Sequence, residues 1–236
     1  MSNTFTRPPS DWSHLLDEHI LALEKPTCHW HYNHGELIFS RGQRIPGPTV
    51  LLSGAAYFYL EDPIRPRGEE LVQLRWGGEI LLVTLLPGTW LESLRALGKA
   101  VVAVTPFEAF DQMMQSEPAL GRRMLLATVS QVLRDHQRMD LYRGLVVDRM
   151  ATVLQHLAAY TGTRMDGGYL LDYPLRLADL ATIVRAHPVE CSRALTSLRE
   201  RGMVEKRPRF RFFLRGLEVV QPQRSAAEMT FIDNLW

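Results

Sequence analysis

Residues 175–214 read LRLADLATIVRAHPVECSRALTSLRERGMVEKRPRFRFFL, and the fold turns on how this run divides. Leu177, Leu180, Ile183 and Val184 share one face of a short helix. Ala186-His187-Pro188 interrupts it, and Pro188 suits the first position of a second helix, where no N–H is needed. From Val189 to Arg201 the period resumes with Cys191, Ala194, Leu195 and Leu198 inward, until Gly202 stops it as a C-cap. Val204 to Leu214 then alternates around Pro208, the pattern of a two-stranded ribbon. Two short helices, a tight turn and a ribbon give the order of a winged helix-turn-helix.

That order predicts double-stranded DNA as partner, because the second helix of such a unit enters the major groove with its N-terminal side chains. Its outward positions are Glu190, Ser192, Arg193, Thr196 and Arg199, all hydrogen-bonding types, and Arg193 has the fork that fits a guanine edge. The ribbon supplies Lys206, Arg207, Arg209 and Arg211 for phosphates. The net charge of +1 conceals an asymmetry: Pro174 to Arg224 holds 11 basic and 5 acidic residues, leaving 16 basic and 21 acidic elsewhere. A basic module carried by an acidic remainder suits nucleic-acid binding. A solvated basic face explains the charge run alone, but not its coincidence with the helix-turn-helix-ribbon order.

Upstream, Thr161 to Gly168 reads as a polar loop and Val147 to Thr161 as a helix with Met150, Val153, Leu154 and Leu157 on its apolar face. Gly144 marks a hinge. A run without Gly or Pro extends from Arg122 to Arg143, with Leu125, Val129, Val132, His136 and Met139 at steps of four and three. Its other face is charged (Arg122, Arg123, Arg134, Asp135, Arg138), so the stripe predicts a homodimer seam. Glu108 to Gln115 is a short helix. From Cys28 to Pro106, short β-favouring runs alternate with glycine turns: Leu37–Phe39, Val50–Leu52, Ala55–Leu60, Leu71–Leu74, Ile80–Leu85 and Ala100–Val104. Such spacing predicts an antiparallel barrel or sandwich. Trp12, Leu15, Leu16, His19 and Leu23 outline one N-terminal helix.

The bulk figures narrow the class. Of 236 residues, 46% are hydrophobic, enough for packed cores. Two cysteines, Cys28 and Cys191, make no disulfide framework and no four-thiolate cluster. The start is polar and the apolar runs are short, so no signal peptide or membrane span is expected, and the chain reads as cytoplasmic.

The whole order of elements resembles the Crp/Fnr family over roughly residues 28 to 220. The local matches are Gly35-Glu36-Leu37-Ile38-Phe39 with Arg41-Gly42, Leu51-Leu52-Ser53-Gly54, Leu86-Pro87-Gly88, Asp148-Arg149-Met150-Ala151 and Leu177-Ala178-Asp179-Leu180-Ala181. The resemblance implies an α+β chain: an N-terminal antiparallel β-roll, jelly-roll-like and of the cyclic-nucleotide-binding type, over 1–118, a dimerisation helix and hinge over 119–144, a winged helix-turn-helix over 145–222, and a tail over 223–236. It also implies a transcription regulator with RNA polymerase as a further partner. Cyclic-nucleotide members hold phosphate and ribose with a Gly-Glu pair and an Arg-Ser pair; here the positions fall on Glu92-Ser93 and Lys99-Ala100, and the adenine-reading pair on Arg134-Asp135. Glu92 sets a carboxylate against phosphate, and Lys99 lacks the guanidinium fork, so Glu92, Ser93, Lys99 and Arg134 outline a degenerate pocket unfit for cyclic AMP. His187-Pro188-Val189 replaces the family's Ser-Arg-Glu at the recognition helix, while Arg193 is kept, which implies a different operator.

An enzyme reading competes. His29-x-His31 followed by Glu36 and Gly42 resembles part of a cupin metal motif, and alternate strand residues face one way. The glycine expected before the first histidine is absent, and no second motif follows. His29, His31, His34 and His136 bring no further haem signal. With no nucleophile triad, phosphate loop or dinucleotide fingerprint, neither enzyme activity nor a cofactor is expected.

Overall fold

The computed structural model describes residues 4–5, 28–61, 68–81, 85–116, 118–138 and 143–215. The expected N-terminal helix, Met139 and the 223–236 tail lie outside these residues, and so does the side chain of Arg134. Seven strands form the first sheet: β1 (Thr4–Phe5), β2 (Cys28–Tyr32), β3 (Leu37–Phe39), β4 (Thr49–Glu61), β5 (Glu69–Trp76), β6 (Glu79–Ile80) and β7 (Ser93–Val104). Their order is β1-β2-β7-β4-β5, with β3 added to β7 and β6 to β4. All pairs are antiparallel except β1 with β2. Of the run expected over Ile80–Leu85, Ile80 lies in β6 and pairs with β4, while residues 82–84 lie outside the described residues.

Strand alternation splits β4 between two cores. Ala56 and Phe58 join Trp30, Phe39, Trp90 and Leu94 within the sheet domain. Phe39 stacks on Trp90 with centroids 4.3 Å apart, so aromatic rings fill this interior. Ala55, Tyr57 and Tyr59 face the other way, into a core that runs without a break through Trp76, Met150 and Leu157 to Leu180, Cys191 and Leu214. The sheet domain and the C-terminal domain therefore share apolar packing, each fully buried large side chain contributing about 1.5–3 kcal/mol.

Helices α1 (Phe107–Ser116) and α2 (Pro118–Arg138) follow the sheet. α2 is fixed to it by Gln131, whose amide donates to the Ile80 carbonyl at 2.6 Å and accepts the Ile80 N–H at 3.0 Å. Arg75 adds a two-oxygen contact to Asp135 at 2.8 and 2.9 Å. The opposite face is apolar and open: Leu125 is 63% exposed, Val129 48%, Val132 52% and Leu133 60%. After Gly144, α3 (Val146–Thr161) buries Met150, Val153, Leu154 and Leu157.

The loop expected over Thr161–Gly168 is instead a hairpin of β8 (Thr163–Met165) and β9 (Gly168–Leu171). Its turn is Asp166-Gly167, with Gly167 at φ 79°, a strong hairpin signal. The strand before it shows no alternation because Thr163, Arg164 and Met165 are all exposed. Next come α4 (Leu177–Val184), α5 (Pro188–Glu200), β10 (Val204–Arg207), a 3-10 turn at Pro208–Phe210, and β11 (Arg211–Arg215). β9 pairs with β11, so the ribbon grows into a four-stranded sheet in the order β10-β11-β9-β8.

Candidate nucleic-acid interface

α5 starts by local chemistry. Pro188 occupies its first turn, the His187 ring nitrogen Nδ1 accepts the Val189 N–H at 3.3 Å, and the Glu190 carboxylate accepts the His187 N–H at 3.2 Å. Glu190, expected to face DNA, is thus engaged in its own helix cap. The buried face is Cys191, Ala194 and Leu198, with Leu195 half-buried. The exposed face carries Ser192, Arg193, Thr196 and Arg199 as the period predicts. The Thr196 hydroxyl donates to the Ser192 carbonyl at 3.0 Å, leaving its oxygen lone pairs as acceptors.

The turn into α5 is held from α3. Arg149 Nη1 donates to the carbonyls of Val184 and Arg185 at 3.1 and 3.3 Å, closing the C-terminal end of α4. At the other end of α4, buried Asp179 accepts the Arg176 N–H at 2.7 Å. The pair of helices is thus fixed by capping side chains at both ends of α4, with the recognition face left open.

Carboxylates hold several of the ribbon's cations. Arg207 and Arg215 both pair with Glu205, at 3.1 and 2.7 Å, and Arg211 pairs with Asp172 at 3.0 Å. The Arg215 hydrogen bond, with Arg207 beside it, holds the Glu205 carboxyl below its ordinary range. Lys206 and Arg209 are exposed, and Arg209 sits at the ribbon tip with φ 59°. A groove of about 560 Å³ runs along the outer sheet face, with Leu170 and Phe213 in its floor and Arg207, Arg209, Arg211 and Arg215 on its rim. Arg215 was outside the sequence expectation; its place two residues after Phe213 on one strand put it on the same face. Guanidiniums at this density attract phosphate oxygens.

Of the positions expected to outline a degenerate pocket, Glu92, Ser93 and Lys99 have described side chains. Ser93 is buried, and its hydroxyl accepts the Arg41 N–H at 3.1 Å. Lys99 is exposed six residues further along the same strand, just past Gly98 at φ 73°. Glu92 is half-buried just before β7, and Asp135 is engaged by Arg75. On the stripe expected to form a dimer seam, Leu125, Val129, Val132 and His136 are exposed together, and Leu133 joins them. Leu133 was missed although it lies four residues after Val129, the spacing that shares a helix face.

The cupin reading finds no support. His29 and His31 do share a face of β2, but Glu36 accepts the Asn33 N–H at 2.8 Å as a turn residue. Among the described residues, no three His, Cys, Asp or Glu side chains gather in a way that would hold a metal.

Residues 148–219 match the Crp-like helix-turn-helix domain. No curated protein matches the chain in sequence. Among solved structures, it is similar to the c-di-GMP responsive global regulator CLP of Xanthomonas campestris, at 21% identity and a TM-score of 0.59, over 81% of this chain and 95% of that one. FixK2 of Bradyrhizobium japonicum gives 16% identity and a TM-score of 0.61, over 80% and 93% of the two chains. A CRP-family transcriptional regulator of Thermus thermophilus gives 20% and 0.58, over 79% and 92%.

Proposed function

We propose that this chain, which has the Crp-like helix-turn-helix domain and the fold of the Crp/Fnr transcription regulators, acts as a homodimer that reads double-stranded DNA by sequence. The observation that carries the reading is α5: one face locked into the core by Cys191, Ala194 and Leu198, the other presenting Ser192, Arg193, Thr196 and Arg199 beside an arginine-rimmed ribbon. The ribbon positions the protein on phosphates and the helix reads base edges.

The division into sheet domain (1–118), dimer helix and hinge (119–144) and DNA-binding domain (145–222) belongs to the same proposal. A second copy covers the exposed Leu125, Val129, Val132 and Leu133. RNA polymerase is the further partner, and the cytoplasm is the compartment. Among the described residues no helix is long and apolar enough to cross a membrane. The sheet interior filled by Trp30, Phe39 and Trp90 supports a protein that does not answer to cyclic AMP. Calorimetric titration with cyclic AMP is expected to register no binding at micromolar concentrations.

The test of DNA reading is in vitro selection from random duplexes with the full chain. Enrichment of a two-fold symmetric sequence, shifted in gels at concentrations that leave its scrambled version free, is the expected result. A pool that stays random through the selection sinks the reading.

A further inference from the structure

Arg185 occupies a position where a side chain is a burden. It is the C-cap residue of α4, in the left-handed region at φ 52° and ψ 53°, a conformation that favours glycine. The turn does not need its side chain. The Arg185 N–H donates to the Thr182 carbonyl at 3.2 Å, the Ala186 N–H to the Ala181 carbonyl at 3.0 Å, and Arg149 covers the carbonyls from α3. The guanidinium instead leaves the domain. Its Nη2 donates to the carbonyls of Leu71 and Val72 at 3.1 and 2.6 Å, 114 and 113 residues away in the chain.

The receiving strand is suited to this contact. β5 is the last strand on the sheet path, so among the described residues one side of it has no strand neighbour there. The register opposite β4 jumps from Gln73 at Phe58 to Leu71 at Tyr59, which makes Val72 the extra residue of a bulge. The guanidinium therefore meets edge carbonyls at an irregular point of the ladder. Beside it, at the edge of the shared core, a cleft of about 320 Å³ is lined by Leu60, Glu69, Glu70, Ala181, Thr182 and Arg185. Further along the same strand, Trp76 stacks on Tyr160 of α3 at 4.9 Å, and Arg75 holds Asp135 of α2. One strand thus touches the dimer helix, the hinge helix and the turn before the recognition helix.

We infer that Arg185 is a positioning residue, a clamp from the helix-turn-helix turn to β5 that sets the angle at which the two recognition helices of a dimer meet DNA. This rests on the DNA-binding reading above. In a symmetric dimer the relative placement of the two helices fixes the half-site spacing. A clamp on that placement acts on spacing, whereas a residue that merely supports the fold acts on every DNA contact alike.

The test compares the parent with Arg185→Gly, which removes the guanidinium and suits the left-handed backbone. Both full-length proteins are titrated by gel shift on the operator recovered from the selection, on versions with the half-sites moved by one to three base pairs, and on a single half-site. The parent is expected to prefer one spacing by about tenfold or more, a difference of about 1.4 kcal/mol. Arg185→Gly is expected to keep the parent's melting temperature and its single half-site affinity while its spacing preference falls below about threefold. An unchanged spacing profile overturns the clamp and leaves the DNA reading intact. A lower melting temperature with uniform loss on every duplex overturns it too, because Arg185 is then only part of the fold. Failure of the parent to select any sequence removes the DNA reading itself, and the clamp with it.

Discussion

Arg193 stands about one turn into α5, exposed, while Cys191 and Ala194 beside it are buried. With Glu190 engaged in the cap and Pro188 and Val189 lacking hydrogen-bonding side chains, its guanidinium is the first forked donor that the helix offers to a major groove. Arg193→Ala is expected to cost about 1–3 kcal/mol on the selected operator and to relax preference at one guanine per half-site. Arg209, at the ribbon tip, should behave differently. Arg209→Ala is expected to weaken operator and scrambled DNA together, with the salt slope reduced by about one unit. Gel-shift titrations at several salt concentrations separate the two; equal, sequence-independent losses would show that Arg193 holds only a phosphate. Behind this face, burial pushes the Cys191 thiol up from 9.0 to about 11, with Glu190 adding to the effect and Arg149 opposing it. The folded state therefore favours the neutral thiol, a stabilisation complete below pH 9.0 and lost as pH rises toward about 11. At neutral pH the native thiol should resist iodoacetamide and react only once the chain is unfolded. Rapid alkylation of the native protein would show that solvent reaches Cys191 behind α5.

At the scale of elements, α2 shows what one polar side chain does for docking. Gln131 is 1% exposed and satisfies both the N–H and the carbonyl of Ile80. Gln131→Ala leaves both of these groups without their side-chain partner, so it should destabilise the fold by about 1–3 kcal/mol. A urea midpoint equal to the parent's would mean that water takes over both bonds. The elements themselves were largely legible, because each rests on a local signal. Leu180, Ile183 and Val184 bury one face of α4; Pro188 and Gly202 bracket α5; glycine turns punctuate the sheet. The β8–β9 hairpin was not legible, since its exposed first strand carries no alternation and only Asp166-Gly167 announces it. The candidate recognition face was legible for the same local reason: the helical period that buries Cys191 exposes Arg193. The Glu190 cap could have been read from its place three residues after His187, but histidine is an uncommon cap and gave little warning. Gln131 and Arg185 were out of reach, because their partners lie 51 and more than a hundred residues away and only the assembled sheet brings them near.

For the whole molecule, the exposed apolar face of α2 is the feature that calls for a partner. Leu125, Val129, Val132 and Leu133 form one apolar stripe on a helix whose other side is fixed to the sheet through Gln131 and Asp135. α2 cannot turn that stripe inward without breaking those contacts, so a second molecule is the natural cover, and the helical spacing suits pairing with a copy of itself. Such a pairing would give the DNA-binding domains a two-fold relation, since α3 and the recognition helix pack into one core with the sheet that carries α2. Replacing Val129 and Val132 together by glutamate tests this. Both positions are exposed in the single chain, so the fold should survive and the circular dichroism spectrum should match the parent's. In a dimer seam the two carboxylates would be buried without partners, at a cost of several kcal/mol. Sedimentation should then find a monomer, and affinity for the full operator should fall toward that for a single half-site. If the doubly charged variant sediments as a dimer and binds the operator as the parent does, the seam lies elsewhere and the stripe on α2 belongs to another partner.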